Sequence, residues 1–168
     1  MKIISISGSP RDKNTNYMLR TILDATNQKY ELILLKDKKI QPCNACRKCS
    51  ETNKCIINDD MQKIYDKLSE ADIIVLGSPT YFDNVTGIMK NFIDRCLPFN
   101  APRKLEGKKV VLVAVGNDDD DSVKGCIRAL EGFCKHMRLQ IIGSVYATHD
   151  NTQAKEEELI QLGKKLIS

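Results

Sequence analysis

Residues 3–16 read Ile3-Ile4-Ser5-Ile6-Ser7-Gly8-Ser9-Pro10-Arg11-Asp12-Lys13-Asn14-Thr15-Asn16. A short apolar run breaks into small and polar residues, and Met18, Leu19, Ile22 and Leu23 then recur at helical spacing. The stretch therefore reads as strand, turn and helix, and the unit repeats along the chain. Further apolar runs lie at Glu31–Leu35, Asp72–Leu76, Val110–Val115 and Leu139–Tyr146. The first, third and fourth runs are nearly all apolar, as strands of a parallel sheet covered on both faces should be. Between and after them come the stripes Met61, Ile64, Tyr65, Leu68; Val85, Ile88, Met89, Phe92, Ile93, Cys96; Val123, Cys126, Ile127, Leu130, Cys134, Met137; and Leu159, Leu162, Leu166. Asn58-Asp59-Asp60 precede the first of these, where acidic residues suit a helix N-terminus. Five strands alternating with five helices predict an α/β fold: a doubly wound, five-stranded parallel sheet of order 2-1-3-4-5 with helices on both faces. No internal repeat and no Pro-, Gly- or Ser-rich linker divides it, so residues 1–168 are expected to form one domain.

Composition narrows the function. Lys and Arg number 26 against 22 Asp and Glu, a net charge of +4 that is too mild to argue for nucleic acid. Trp is absent and Tyr and Phe together number nine, so base-stacking platforms are not expected. The longest apolar run is far short of a membrane span, and the apolar start is too short for a signal peptide. A cytoplasmic protein that binds neither membrane nor nucleic acid is expected. In a reducing compartment the seven cysteines point to metal or redox chemistry rather than disulfides.

In a sheet of this order, ligands bind beyond the carboxyl ends of the strands where the winding reverses. The pocket is therefore expected from the segments after strands 1, 3 and 4: Gly8–Asn16, Gly77–Asn84 and Gly116–Asp121. The first joins a buried strand to a helix and offers hydroxyls, amides, backbone N–H groups and Arg11 to an anion, though an ordinary capped turn has the same composition. Neither G-x-G-x-x-G nor G-x-x-x-x-G-K-[ST] is present. The second places Pro79, Tyr81 and Phe82 at the pocket mouth, which suits a flat ring or, alternatively, a hydrophobic plug. The third contributes Asn117 and then the run Asp118–Asp121, which reads first as a solvated loop or helix N-terminus.

Gly8-Ser9-Pro10-Arg11 after strand 1, with Ser78-Pro79-Thr80-Tyr81, Gly87 and Met89–Arg95, resembles the NAD(P)H-dependent FMN reductase family of flavodoxin-like proteins. The resemblance spans roughly residues 1–146. It implies that Ser9, Arg11, Asn14, Thr15 and Asn16 hold the FMN phosphate. It further implies that Pro79, Thr80, Tyr81, Phe82 and Asn84 border the isoalloxazine ring, with Asn117 joining them. Relatives usually carry a glycine-rich segment where this chain has Gly116-Asn117 and its aspartates. If that run faced the flavin, its field would disfavour an anionic reduced ring, and neutralising it would raise the midpoint potential.

Cys43, Cys46, Cys49 and Cys55 fall within one loop, 41–59, in the pattern C-x2-C-x2-C-x5-C. Three thiolates at three-residue spacing with a fourth returning suit an iron–sulfur cubane. Zinc more often uses two separated C-x2-C knuckles, and a metal-free thiol loop is the third reading. Arg47, Lys48 and Lys54 lie close by in sequence. This segment, followed by Asn58–Met61, resembles the cysteine motif of the iron–sulfur flavoproteins, a branch of the same family. The resemblance implies a [4Fe–4S] cluster on these four residues, electron exchange with FMN, and a homodimer or homotetramer. Cys96, Cys126 and Cys134 sit on apolar stripes as core thiols, and His136 and His149 are too isolated for a metal or a triad.

Together these readings predict a flavoprotein oxidoreductase. It would move electrons from NAD(P)H or a reduced partner to a flavin, a quinone or a protein, with the chemistry carried by the flavin rather than by a side chain. An electron carrier without nicotinamide chemistry and a non-redox regulator on the same scaffold are the alternatives.

Overall fold

The computed structural model describes residues 1–117, 120–148 and 151–168. Five parallel strands form the sheet: β1 (Ile3–Ser7), β2 (Tyr30–Leu34), β3 (Ile73–Tyr81), β5 (Lys109–Gly116) and β6 (Gln140–Thr148). They lie in the order β2-β1-β3-β5-β6, so the winding reverses between β1 and β3 as the sequence predicts. A sixth strand, β4 (Asn84–Val85), pairs antiparallel with the end of β3. The sequence placed residues 77–84 in a loop. Instead β3 runs on through Pro79, in register with Val115 of β5, and turns back on itself. The turn residues Phe82 and Asp83 both have positive φ, +49° and +57°, the twist that a two-residue hairpin needs.

The helices are α1 (Asn14–Ala25), α2 (Lys48–Thr52), α3 (Met61–Glu70), α4 (Gly87–Arg95), α5 (Asp120–Met137) and α6 (Glu156–Ile167). Strand alternation divides the core between the two faces of the sheet. Ile4, Ile6, Ile74, Leu76, Val110 and Leu112 pack under α3, α4 and α5 with Met61, Phe92 and Leu130. Ile3, Ile73, Val75, Val111 and Val113 face α1 and α6 with Met18, Leu19, Ile22 and Leu159. The predicted stripes on α1 and α3 are buried in full. On α4, Met89 and Phe92 are buried while Ile88 and Ile93 are only half-buried, and the third buried residue is Arg95. Among the described residues, no helix is long and apolar enough to cross a membrane.

The first turn is fixed against α4. Thr86 caps α4 by accepting from the Met89 N–H at 3.3 Å, and its hydroxyl donates to the Gly8 carbonyl at 2.7 Å. Gly8 N–H in turn donates to the Gly77 carbonyl at 2.8 Å. A Cβ on Gly8 would lie 2.6 Å from Met89 Cβ, so only glycine lets the turn come this close.

Candidate functional site

The segments after β1, β3 and β5 surround one cavity of about 530 Å³, within the usual range for a small-molecule site. Ser9, Arg11, Asn14 and Thr15 line it from the first turn; Pro79, Thr80, Tyr81 and Phe82 from β3 and its hairpin; Asn117 from the third segment. Arg11 and Tyr81 thus share one cavity. Lys13, Asp83 and Gly116, inside the expected segments though not named as site residues, line it as well, and so do Val115 and Ser122 just outside those segments.

Asn16 and Asn84 are not among the lining residues. Asn16 is buried beneath the turn, where its Oδ1 accepts the Ser7 hydroxyl and its Nδ2 donates to Asp12 Oδ1 at 2.9 Å. That bond, with Arg20 nearby, holds the Asp12 carboxyl below the usual range. Asn84 is exposed, and its Oδ1 accepts from the Val85 N–H at 2.9 Å. Both asparagines shape the backbone that carries the lining residues.

The cavity is polar at one end and aromatic at the other. Ser9 Oγ donates to the Arg11 carbonyl at 2.6 Å, which curls the turn around it. Helix α1 opens from Lys13 without a side-chain cap, so its positive end meets the cavity uncapped. At the other end Tyr81 is 45% exposed and Phe82 is fully exposed at the lip. Thr80 lines the wall beside them, its buried hydroxyl against the Cys126 thiol. A polar turn opening an uncapped helix, facing an aromatic hairpin across one cavity, fits a phosphorylated flat ring such as FMN. Under the β3 end, Cys126 Sγ donates to the Ser78 and Pro79 carbonyls at 3.8 Å each, and burial pushes its thiol up to about 11, so it is neutral.

The four loop cysteines line a second, smaller cavity of about 200 Å³. Cys43 and Cys46 are exposed, and Cys49 and Cys55 half-buried. Cys49 rides on the short helix α2. Ala45, Arg47 and Asn53 around it all take left-handed backbone, at φ +56°, +58° and +55°, a conformation that costs roughly 1–2 kcal/mol for a residue with a side chain. Burial raises the Cys49 thiol above its ordinary pKa, and the nearby Cys55, Cys43 and Cys46 thiols add to the effect. Among the described residues, no three His, Cys, Asp or Glu side chains form a group able to hold a metal ion. The thiols border the cavity rather than meet at a point.

The stems of this loop meet at a buried ion pair that the sequence did not reveal. Arg95 Nη1 donates to Asp59 Oδ2 at 2.7 Å, with the two side chains 1% and 5% exposed. Burial opposes the charge on both. Even so, the hydrogen bonds from Arg95 and from the Gln41 and Met61 N–H groups hold the Asp59 carboxyl below its usual range. Burial likewise works against the Arg95 charge, but the Asp59 hydrogen bond and charge together with Tyr65 and Cys55 outweigh it, so the guanidinium stays ionised.

Cys96, Cys126 and Cys134 are buried in the core. His136 is exposed, and His149 lies outside the described residues. So do Asp118 and Asp119. Asp120 and Asp121 open α5 without lining the cavity, and Asp121 pairs with Lys124 at 3.4 Å.

A doubly wound sheet with a polar turn and an aromatic hairpin at its reversal point defines a flavodoxin-like protein. Residues 1–153 match the NADPH-dependent FMN reductase family. The chain is 37% identical over 147 residues to an iron–sulfur flavoprotein of Methanocaldococcus jannaschii, covering 85% of this chain and 76% of that one. It is 45% identical over 98 residues to an iron–sulfur flavoprotein of Archaeoglobus fulgidus, covering 56% of this chain and about half, 48%, of that one. Among solved structures, a flavone reductase superposes with a TM-score of 0.78 at 19% identity, covering 99% of this chain and 62% of that chain. The chain belongs to the NADPH-dependent FMN reductase family of oxidoreductases, on its iron–sulfur flavoprotein branch.

Proposed function

We propose that the chain binds FMN in the larger cavity, and a [4Fe–4S] cluster on Cys43, Cys46, Cys49 and Cys55. In this reading it carries electrons from NAD(P)H or a reduced partner to a flavin, a quinone or a protein. The observation that supports this best is the larger cavity itself. Its three segments bring Arg11 and the uncapped start of α1 to one end and Tyr81 and Phe82 to the other. Arg11 and the α1 N-terminus would take the phosphate, and the hairpin would flank the ring. FMN, when bound, supplies the redox chemistry; the chain's residues bind it, orient it and leave its edge open past Phe82.

The four thiols line one cavity, and their C-x2-C-x2-C-x5-C spacing suits a cubane better than the two separated C-x2-C knuckles usual for zinc. A homodimer or homotetramer is part of the proposal: Ile56 and Leu97 beside the cysteines are 60% and 47% exposed, apolar surface that a second copy would cover. The free state of all seven cysteines is consistent with a cytoplasmic setting.

Anaerobic purification, an absorption spectrum, iron and sulfide assays, and NAD(P)H oxidation with an added quinone or flavin test the reading together. Flavin bands with a broad, bleachable shoulder and about four irons per chain are expected. Protein that takes up no FMN refutes the whole proposal, and flavin without iron refutes its cluster half. Bound FMN that NAD(P)H cannot reduce identifies the electron carrier instead.

A further inference from the structure

Arg95 is the last residue of α4, and its guanidinium grips both stems of the cysteine loop. Nη1 donates to the Gln41 carbonyl at 2.7 Å and to Asp59 Oδ2 at 2.7 Å. Nη2 donates to Asp59 Oδ1 at 3.1 Å and to the Ile57 carbonyl at 3.4 Å. Asp59 Oδ2 accepts the Gln41 N–H at 2.9 Å, so the pair is tied twice to the entering stem. Gln41 is two residues before Cys43, and Ile57 two residues after Cys55. The fork thus fixes the first and the last of the four thiols.

Stability alone does not account for it. A buried ion pair seldom outdoes apolar side chains of the same volume, because two charges must leave water. One atom is also left over. Arg95 Nε is buried and has no hydrogen-bond partner, although Arg95 lines the cavity that the four cysteines share. A permanently charged side chain that borders a sulfur-walled cavity and keeps one donor unpaired matches an anionic, thiolate-bound group.

We propose that Arg95 is a positioning residue for the cysteine-bound group: its fork sets the two stems of the loop, and its Nε–H is the donor held for a sulfur of that group. The proposal rests on the cluster reading given above.

Two variants test it beside the wild type, R95K and the double variant R95Q/D59N, which leaves no unpaired buried charge. After anaerobic purification, iron and sulfide are counted, iron release to a ferrous chelator is timed, and the cluster midpoint potential is read by spectroelectrochemistry. FMN uptake and the thermal melt report whether each variant has folded. Folded R95Q/D59N is expected to release iron about tenfold or more faster than wild type. Its potential is expected to fall, because a hydrogen-bond donor to sulfur has gone. R95K, which keeps the charge and loses the fork, is expected to release iron at an intermediate rate. Wild-type release and potential in folded R95Q/D59N, or in R95K where the double variant does not fold, overturn the role of Arg95 and leave the cluster reading intact. Wild-type protein without iron overturns both.

Discussion

Replacing Gly125 by alanine would put a methyl group where the hairpin backbone already lies. An ideal Cβ at residue 125 sits 2.2 Å from the Asp83 carbonyl oxygen and 3.0 Å from its carbon, whereas real Cβ contacts essentially never fall below 3.0 Å. The obstacle is backbone, so the Phe82–Asp83 turn must retreat by about 0.8 Å or α5 must move away by as much. Such overpacking costs about 1–3 kcal/mol, and the better helix propensity of alanine returns about 0.5–1 kcal/mol. A net loss of about 1–2 kcal/mol is expected. Gly132 lies on the same helix with nothing within 4 Å of its ideal Cβ, so Gly132→Ala should gain about 0.5–1 kcal/mol. The two variants should then melt roughly 3–12 °C apart, at about 2–4 °C per kcal/mol for a domain of this length. The displaced turn carries Phe82, and FMN binding should weaken about tenfold in Gly125→Ala, equivalent to about 1.4 kcal/mol. Thermal melts and titration of flavin fluorescence measure both effects. A Gly125→Ala protein that melts with Gly132→Ala and binds FMN as tightly as the wild type would refute the claim that this contact seats the hairpin.

Two further outcomes are expected. Arg11→Gln should weaken FMN binding about tenfold by removing a charge-assisted contact. It should leave riboflavin, which lacks the phosphate, unaffected; equal losses for both ligands would move Arg11 away from the anion. Asp59→Asn should alter the response to acid. The native Asp59 carboxyl is held below its usual range, so it remains ionised where the unfolded chain takes up a proton. Its contribution is whole above about pH 4 and is lost as pH falls through the lower native value. Urea unfolding at pH 7 and pH 3 should therefore differ less in Asp59→Asn than in wild type, with the variant weaker by about 3–5 kcal/mol at pH 7, where Arg95 is left unpaired. An equal pH difference in both proteins would count against the pairing.

The sheet was legible in the sequence because apolar runs and helical stripes are local signals. So was the position of the larger cavity, which follows from strand order. The extension of β3 was not. Gly77 and Pro79 read as punctuation, but Pro79 keeps its register with Val115, where a strand can spare one N–H. The hairpin turn was hidden for a related reason, since Phe82 and Asp83 take a left-handed backbone usually reserved for glycine or asparagine. Mid-helix Gly125 was the available hint, because a glycine in a helix interior calls for a close neighbour. Arg95 lies three residues after Phe92 on the buried face of α4, yet a charged residue in an apolar stripe is read as an interruption. Its partner Asp59 is 36 residues away, and local periodicity carries no trace of a pair so far apart.

One element carries both cavities. Thr86, at the start of α4, holds the Gly8 turn of the larger one, and Arg95, at its end, holds the stems of the smaller one. Nine residues span α4, about 13 Å at 1.5 Å per residue. The two cavities are thus mounted on one stiff rod whose length is a count of peptide units. Thermal breathing of the surface loops leaves that count unchanged. Only an insertion or deletion within α4 would reset it, and a single added residue would also swing the far end by about 100°.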